Sequence, residues 1–218
     1  MKLLVISDLH YRGGGISELA AIIRKERPDH LVLLGDNIDP KESGSVRLYK
    51  EFISLLSGKF SLKKTALMLG DEDYAHLKDK KAVLNYIKSL KTLNGKEEHF
   101  RYAIGNLLFS HGNVERSHSL EMLGKKIILF SVANNIHYYI PPLVSVWARL
   151  ALLADRRYLF IGHMHYLGKV GITRTTFCGT FNRDAKYFNE NSLGYVVIEH
   201  SGFEISSMAS IRIRRIAK

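Results

Sequence analysis

The sequence predicts an α/β layered fold, on three observations. Five short apolar runs each end in Gly, Ser, Asp or His, segments of helical period fall between them, and beyond residue 166 the pattern shifts to short β-like pieces punctuated by glycine.

The first run is LLVIS (3–7). Ile16, Leu19, Ala20 and Ile23 then recur at the spacing of one helix face, which predicts a helix over 16–27. LVLLG (31–35) is the second run, and Val46, Tyr49, Phe52, Ile53 and Leu56 predict a helix over 46–57. TALMLG (65–70) is the third; Val83, Leu84, Ile87 and Leu90 predict a helix over 79–90. LLFSHG (107–112) and YLFIGH (158–163) complete the set. Alternation of this kind predicts parallel strands. The pieces at 169–172, 175–178, 193–199 and 203–208, broken by Gly168, Gly171, Gly179, Gly194 and Gly202, read instead as antiparallel strands closing a second sheet.

Residues 127–154 carry almost no charge and are long enough to span a bilayer, but Asn134, Asn135, His137 and Pro141-Pro142 interrupt them. A double proline cannot continue a helix, so two shorter helices are expected and no transmembrane span. They form either a buried helical pair or an insertion that meets a membrane surface, a lipid tail or a second subunit.

With 218 residues, no linker and no repeat, the chain is expected to be one domain over 1–218. The start, MKLLVISDLHYR, reaches Asp8 and His10 too soon for a signal peptide. Cys178 is the only cysteine, so no intrachain disulfide forms, which fits a cytoplasmic protein, with a peripheral place at a membrane as the variant. Thirty-two basic against 21 acidic residues give a net charge of +11, which attracts nucleic acid, nucleotides or anionic lipid, or is simply solvated surface. In the closing IRIRRIAK, Arg212 and Arg214 alternate with Ile211 and Ile213, as in a half-exposed edge strand or a basic tail.

The chemistry stands at the ends of the runs. Asp8-Leu9-His10 follows the first, Gly35-Asp36-Asn37-Ile38-Asp39 the second, Gly70-Asp71-Glu72-Asp73 the third, Ser110-His111-Gly112 the fourth and Gly162-His163-Met164-His165 the fifth. Ligands of open α/β sheets bind outside the carboxyl ends of the strands, so these residues are expected to share one crevice. Carboxylate and imidazole donors without thiolate suit manganese, iron or zinc, and seven candidate ligands are too many for one ion and enough for two.

The series D-x-H, G-D-x-x-D, G-D-E-D, S-H-G and G-H-x-H, in that order from Asp8 to His165, resembles the calcineurin-like metallophosphoesterase superfamily. The resemblance implies a four-layer α/β/β/α sandwich, with 127–154 as a helical insertion before the last motif. It implies two divalent metal ions, manganese first, with iron or zinc as alternatives. Asp8, His10 and His165 would hold one, Asp71, His111 and His163 the other, and Asp36 would bridge them. The implied reaction is in-line attack of a metal-bridging hydroxide on a phosphodiester, pyrophosphate or phosphomonoester.

The third motif departs from the family's usual G-N-H-D or G-N-H-E. Asp71 replaces a ligating asparagine; it supplies the same oxygen but adds negative charge. Glu72 replaces the histidine that assists the leaving group, and either donates a proton itself, with its pKa raised by Asp71 and Asp73, or only orients water. Asp39 is either a partner for a ligand histidine's ring N–H or a helix N-cap before Pro40. Arg12, beside Gly13-Gly14-Gly15, reaches a substrate phosphate or is a solvated loop residue; Asn113 is a candidate substrate contact by position. Three substrate classes stay open. The charge points to nucleic acid or nucleotides, and the insertion, similar in place to one in the UDP-diacylglucosamine pyrophosphatase branch, points to a lipid-linked pyrophosphate. A small phosphoester needs no special feature. A rival expectation is a binding scaffold that has lost turnover, and the six unaltered ligand positions speak against it.

Overall fold

The computed structural model describes residues 1–39, 45–70, 73, 80–93, 101–112, 145–146, 148–150, 154, 156–163, 165–181, 192–199 and 210–216. The chain runs β1 (Lys2–Ile6), α1 (Ser17–Glu26), β2 (His30–Leu33), α2 (Ser45–Ser57), β3 (Thr65–Leu67), α3 (Lys80–Ser89), β4 (Arg101–Ile104), β5 (Leu107–Ser110), β6 (Tyr158–Ile161), β7 (Leu167–Val170), β8 (Thr175–Cys178), β9 (Gly194–Glu199) and β10 (Ser210–Arg215). The three helices form where the apolar period predicts them. In α1, Leu19, Ala20, Ile22 and Ile23 turn inward, and Arg24 and Lys25 lie in the last turn, where cations oppose the helix dipole. The helix stops at Arg27, whose left-handed backbone (φ 46°) returns its N–H to Ile23.

The strands build two five-stranded sheets, ordered β10-β9-β1-β2-β3 and β4-β5-β6-β8-β7. The expected division, parallel runs in one sheet and glycine-punctuated pieces in the other, needs correcting. β1, β2 and β3 are parallel neighbours in the first sheet, whereas β5 and β6 are parallel neighbours in the second. β8 continues that parallel set, and β7 flanks it antiparallel. β9 pairs antiparallel with β1 and carries β10 on its outer edge. Periodicity reports which face a side chain takes and leaves open which strand lies alongside. The piece expected at 169–172 is β7, ended by a short 3-10 turn over Gly171–Thr173; the piece at 203–208 lies outside the described residues. The closing basic stretch is an edge strand, with Arg212 paired to Glu199. β4 reaches β5 through the two-residue turn Gly105-Asn106, a hairpin not among the elements expected from periodicity.

Alternation sorts the core into layers. Leu4, Ile6, Leu31, Leu33 and Val197 of the first sheet face α1, α2 and α3, where Tyr49 and Phe52 are fully buried. Leu3, Val5, Val32 and Val196 face the second sheet and meet Leu107, Phe109 and Phe160, with Phe109 and Phe160 stacked at 5.0 Å. The outer face of the second sheet, with Leu108, Leu159, Ile161 and Phe177, is covered in part by helical residues 145–146 and 148–150 through Ala148. No helix of the described residues is long and apolar enough to cross a membrane; most of 127–154 lies outside them.

Candidate metal centre

Both sheets present the carboxyl ends of their parallel strands to one crevice. The first contributes acids: Asp8 just past β1 and Asp36 just past β2. The second contributes imidazoles: His111 past β5, His163 past β6 and His165 before β7. His10 follows Asp8, and its loop is stitched to the next by His10 N–H to Asp36 O (2.8 Å) and Tyr11 N–H to Asn37 O (2.9 Å).

The backbone here is strained. Of the seven described non-glycine residues with positive φ, five are Asp8 (54°), His10 (47°), Asp36 (50°), His163 (60°) and His165 (47°). A left-handed residue costs roughly 1–2 kcal/mol, less for Asp, so the loops keep a geometry that the chain alone would not choose. Glycine permits the close approach. A Cβ on Gly70 would collide with the Asp36 carboxylate and main chain, and one on Gly162 with the Ser7 hydroxyl. That is the physical sense of a glycine before Asp71 and before His163.

Six side chains form two clusters, Asp8/His10/His165 and Asp36/His111/His163, each with its candidate ligand atoms within 4.8 Å of one another. The histidine pairs stand edge to face, with centroids 6.0 Å apart for His10/His165 and 5.2 Å for His111/His163. Asp8 Oδ1 is 3.1 Å from His165 Nε2. Its Oδ2 accepts from the Ser7 hydroxyl and, at 3.1 Å, from His163 N–H. Asp36 Oδ2 lies 3.2 Å from His111 Nε2 and 3.9 Å from His10 Nε2, between the clusters. Burial pushes the Asp8 carboxyl up, but the His165 hydrogen bond and the charges of His111, His165 and His10 outweigh it and hold the group well below the usual carboxylate range.

Asp73 completes the site and was not singled out as a functional residue from sequence. It is fully buried and accepts from the main-chain N–H groups of Asn37 (2.8 Å), Ile38 (3.1 Å) and Gly70 (2.9 Å), and from Asn37 Nδ2 (3.1 Å). It thereby clamps the Asp36 loop to the Gly70 loop. Burial first, then the charge of Asp36, raises its pKa to about 7, against the donors that favour the anion. The available signal was its place, the second acid after Gly70-Asp71 in a turn with many main-chain donors to satisfy.

Asp39, the expected histidine partner or N-cap, takes the Arg12 Nε at 3.0 Å. Arg12 is half-exposed and lines a cleft of ≈ 290 Å³ beside His10, with Gly13, Gly15, Ser17 and Phe181. Asp71, Glu72 and Asn113 lie outside the described residues. The donors fit a metal. They are oxygen and imidazole nitrogen, and His10 Nε2 and His165 Nδ1 are buried with no hydrogen-bond partner among the described residues. The sole thiol, Cys178, is buried and its pKa is pushed up by burial and by Asp8, which leaves it inert.

A family model described as calcineurin-like phosphoesterase matches residues 1–172. No curated protein matches the chain. Among solved structures, a dimetal phosphatase from Danio rerio is similar at 12% identity and TM-score 0.51, over 98% of this chain and 96% of that one. Yfce, a phosphoesterase from E. coli, is similar at 13% identity and TM-score 0.45, over 91% and 88%. A conserved uncharacterized protein of Streptococcus pneumoniae, titled a predicted phosphoesterase, is similar at 11% identity and TM-score 0.36, over 98% and 97%.

Proposed function

We propose that this chain, which belongs to the calcineurin-like phosphoesterase family and is a metal-dependent phosphoric ester hydrolase, acts through a two-metal centre on small phosphodiesters with good leaving groups. The observation that supports the two-metal reading is the pair of three-residue clusters with Asp36 Oδ2 between them. Asp8, His10 and His165 would hold one ion; Asp36, His111 and His163, joined by Asp71, would hold the other. Manganese suits this donor set, with iron or zinc as alternatives. When bound, such a pair supplies Lewis acidity and an acidified water.

The protein's own part is placement. Asp73 fixes the loop of Asp36, and Asp39 orients the Arg12 guanidinium at the cleft mouth, where it can receive a phosphate oxygen. Charge selects the ester. Asp8 and Asp36 are buried together and Asp71 adds a further carboxylate, so a dianionic monoester meets more repulsion than a monoanionic diester. Glu72 stands where the family has a histidine, so the reaction depends on leaving oxygens that depart without a strong acid. The cleft beside His10 is at the small end for ligand sites and suits a compact substrate.

The test is metal analysis of purified protein, followed by Mn²⁺-supplemented assays on bis-p-nitrophenyl phosphate and p-nitrophenyl phosphate. About two metals per chain and faster diester cleavage are expected. No metal retained even after Mn²⁺ incubation sinks the site assignment, and a faster monoester sinks the choice of diester.

A further inference from the structure

The ends of the second sheet away from the metal centre carry a different surface. Among the described residues the exposed large hydrophobics are Met1, Val146 (46%), Leu150 (66%) and Ile172 (92%). Apart from the chain start, all of them gather in one place. Ser145 and Ala148 are buried, Ala148 against the second sheet, while Val146 and Leu150, both helical and four positions apart in sequence, are exposed. The outward face of such a helix is ordinarily polar. Ser145 Oγ receives the Thr173 hydroxyl at 2.8 Å, which sets the helical stretch beside the turn that lifts Ile172 into solvent.

Arginines lie beside Ile172, and Arg149 is next to Leu150 in the chain. Arg149, Arg156 and Arg174 line a hollow of ≈ 380 Å³ together with Ile172 and Thr173. Their main-chain and ring contacts fix the geometry: Arg149 Nη1 donates to Arg157 O (2.8 Å), Arg174 Nη1 to Arg156 O (3.2 Å), and the Arg174 guanidinium lies over the Tyr158 ring. From 145 to 174 the sequence has Arg149, Arg156, Arg157, Lys169 and Arg174 against one acid, Asp155.

We propose that this face docks on an anionic lipid bilayer, with Ile172, Leu150 and Val146 entering the interface and Arg149, Arg156 and Arg174 taking lipid phosphates. Apolar points beside cations match the two layers of such a surface, acyl chain and anionic headgroup. A second copy of the chain fits less well, because a two-fold contact would set the arginines against their own images. Nucleic acid would leave the apolar side chains without a role. The turn at Ile172 and the start of β6 lie at the opposite strand ends from His163, so the docked protein presents its metal centre away from the membrane. This inference is independent of the substrate proposed above.

Cosedimentation with phosphatidylcholine vesicles, alone or with about one-third phosphatidylglycerol, tests it. Binding is expected only to the anionic vesicles. Arg156→Glu with Arg174→Glu should lower partitioning by at least about twentyfold, taking roughly fivefold per basic residue. Ile172→Ser with Leu150→Ser should lower it severalfold, with diesterase rate and Tm unchanged to within about 2 °C. Arg47→Glu with Lys88→Glu, the same charge change on the exposed side of α2 and α3, should have a much smaller effect. Four results overturn the proposal. They are no binding to anionic vesicles, equal loss from the α2/α3 variant, a fall of many degrees in Tm for the serine variant (the face is covered within the chain), or a dimer in sedimentation that the serine variant dissociates.

Discussion

The two ends of the strands obey different rules. At the amino ends, local chemistry is met by ordinary means, with the buried His30 Nδ1 as the exception among the described residues. Of the other two described non-glycine residues with positive φ, Arg27 caps helix α1 and Arg174 caps the 3-10 turn Gly171–Thr173. The buried carboxylate there, Glu26, has its partners in Lys2 Nζ (2.9 Å) and Tyr195 OH (3.0 Å). At the carboxyl ends, five left-handed residues, four buried carboxylates (Asp8, Asp36, Asp39 and Asp73) and four histidines gather, and His10 Nε2 and His165 Nδ1 have no described partner. Strain and unmet polar groups persist only where the surrounding structure over-determines them. One end thus holds the fold together, and the other is held by it in a form ready for an ion.

The sharpest way to break that contrast is Asp36→Ala. Asp36 lies between both clusters, so its loss should cut kcat/KM on an aryl phosphodiester by at least about 10³-fold, roughly 4 kcal/mol. The far-ultraviolet spectrum should stay unchanged, since the amino-end network is untouched. A retained rate would place the chemistry elsewhere.

Asp73→Leu comes next. It leaves the N–H groups of Asn37, Ile38 and Gly70 buried without their acceptor. At roughly 1–3 kcal/mol per unsatisfied donor, less the repulsion from Asp36 that is relieved, a loss of about 3 kcal/mol is expected. That corresponds to a fall in Tm of about 6–12 °C for a chain of this size. Because the clamp sets the Asp36 loop, Mn²⁺ affinity measured by calorimetry should drop about 10–100-fold, while Asp73→Asn, which keeps an acceptor oxygen, recovers much of both. A Leu variant that melts with the wild type and binds metal equally would show that the clamp is not needed.

What the sequence made legible follows the same division. Asp8, His10, His111, His163 and His165 stand directly after or before apolar runs, and the rule that sites form at strand ends was enough to group them. The position of Asp36 between two clusters was not legible from spacing, because it depends on acids from one sheet meeting imidazoles from the other. Nothing in the β-periodicity says that β5 and β6 leave the sheet of β1 and β2. In sequence Asp73 is only a charge near Glu72, since its hydrogen bonds run to Asn37 and Ile38 in another loop. The arginine-flanked face escaped for a similar reason. Ile172 and Leu150 are 22 positions apart in sequence, and only the fold shows that both are exposed in one place.

The smallest effect tests the amino end. Burial raises the Glu26 carboxyl, but hydrogen bonds from Lys2 and Tyr195 and the charges of Lys2 and Arg214 more than offset it, so its folded pKa lies below the usual 4.5. A depressed carboxyl pKa contributes stability that is present above the unfolded value and is lost as pH falls through the folded one. Glu26→Gln should therefore cost about 1–2 kcal/mol in urea denaturation near neutral pH. The two proteins should converge as pH drops below 4.5, while the Mn²⁺-loaded diesterase rate at neutral pH stays the same. A stability gap that persists at low pH would mean that Glu26 acts by packing alone. A change in the rate would mean that the two ends are coupled through β1, which carries Lys2 at one end and leads into Asp8 at the other.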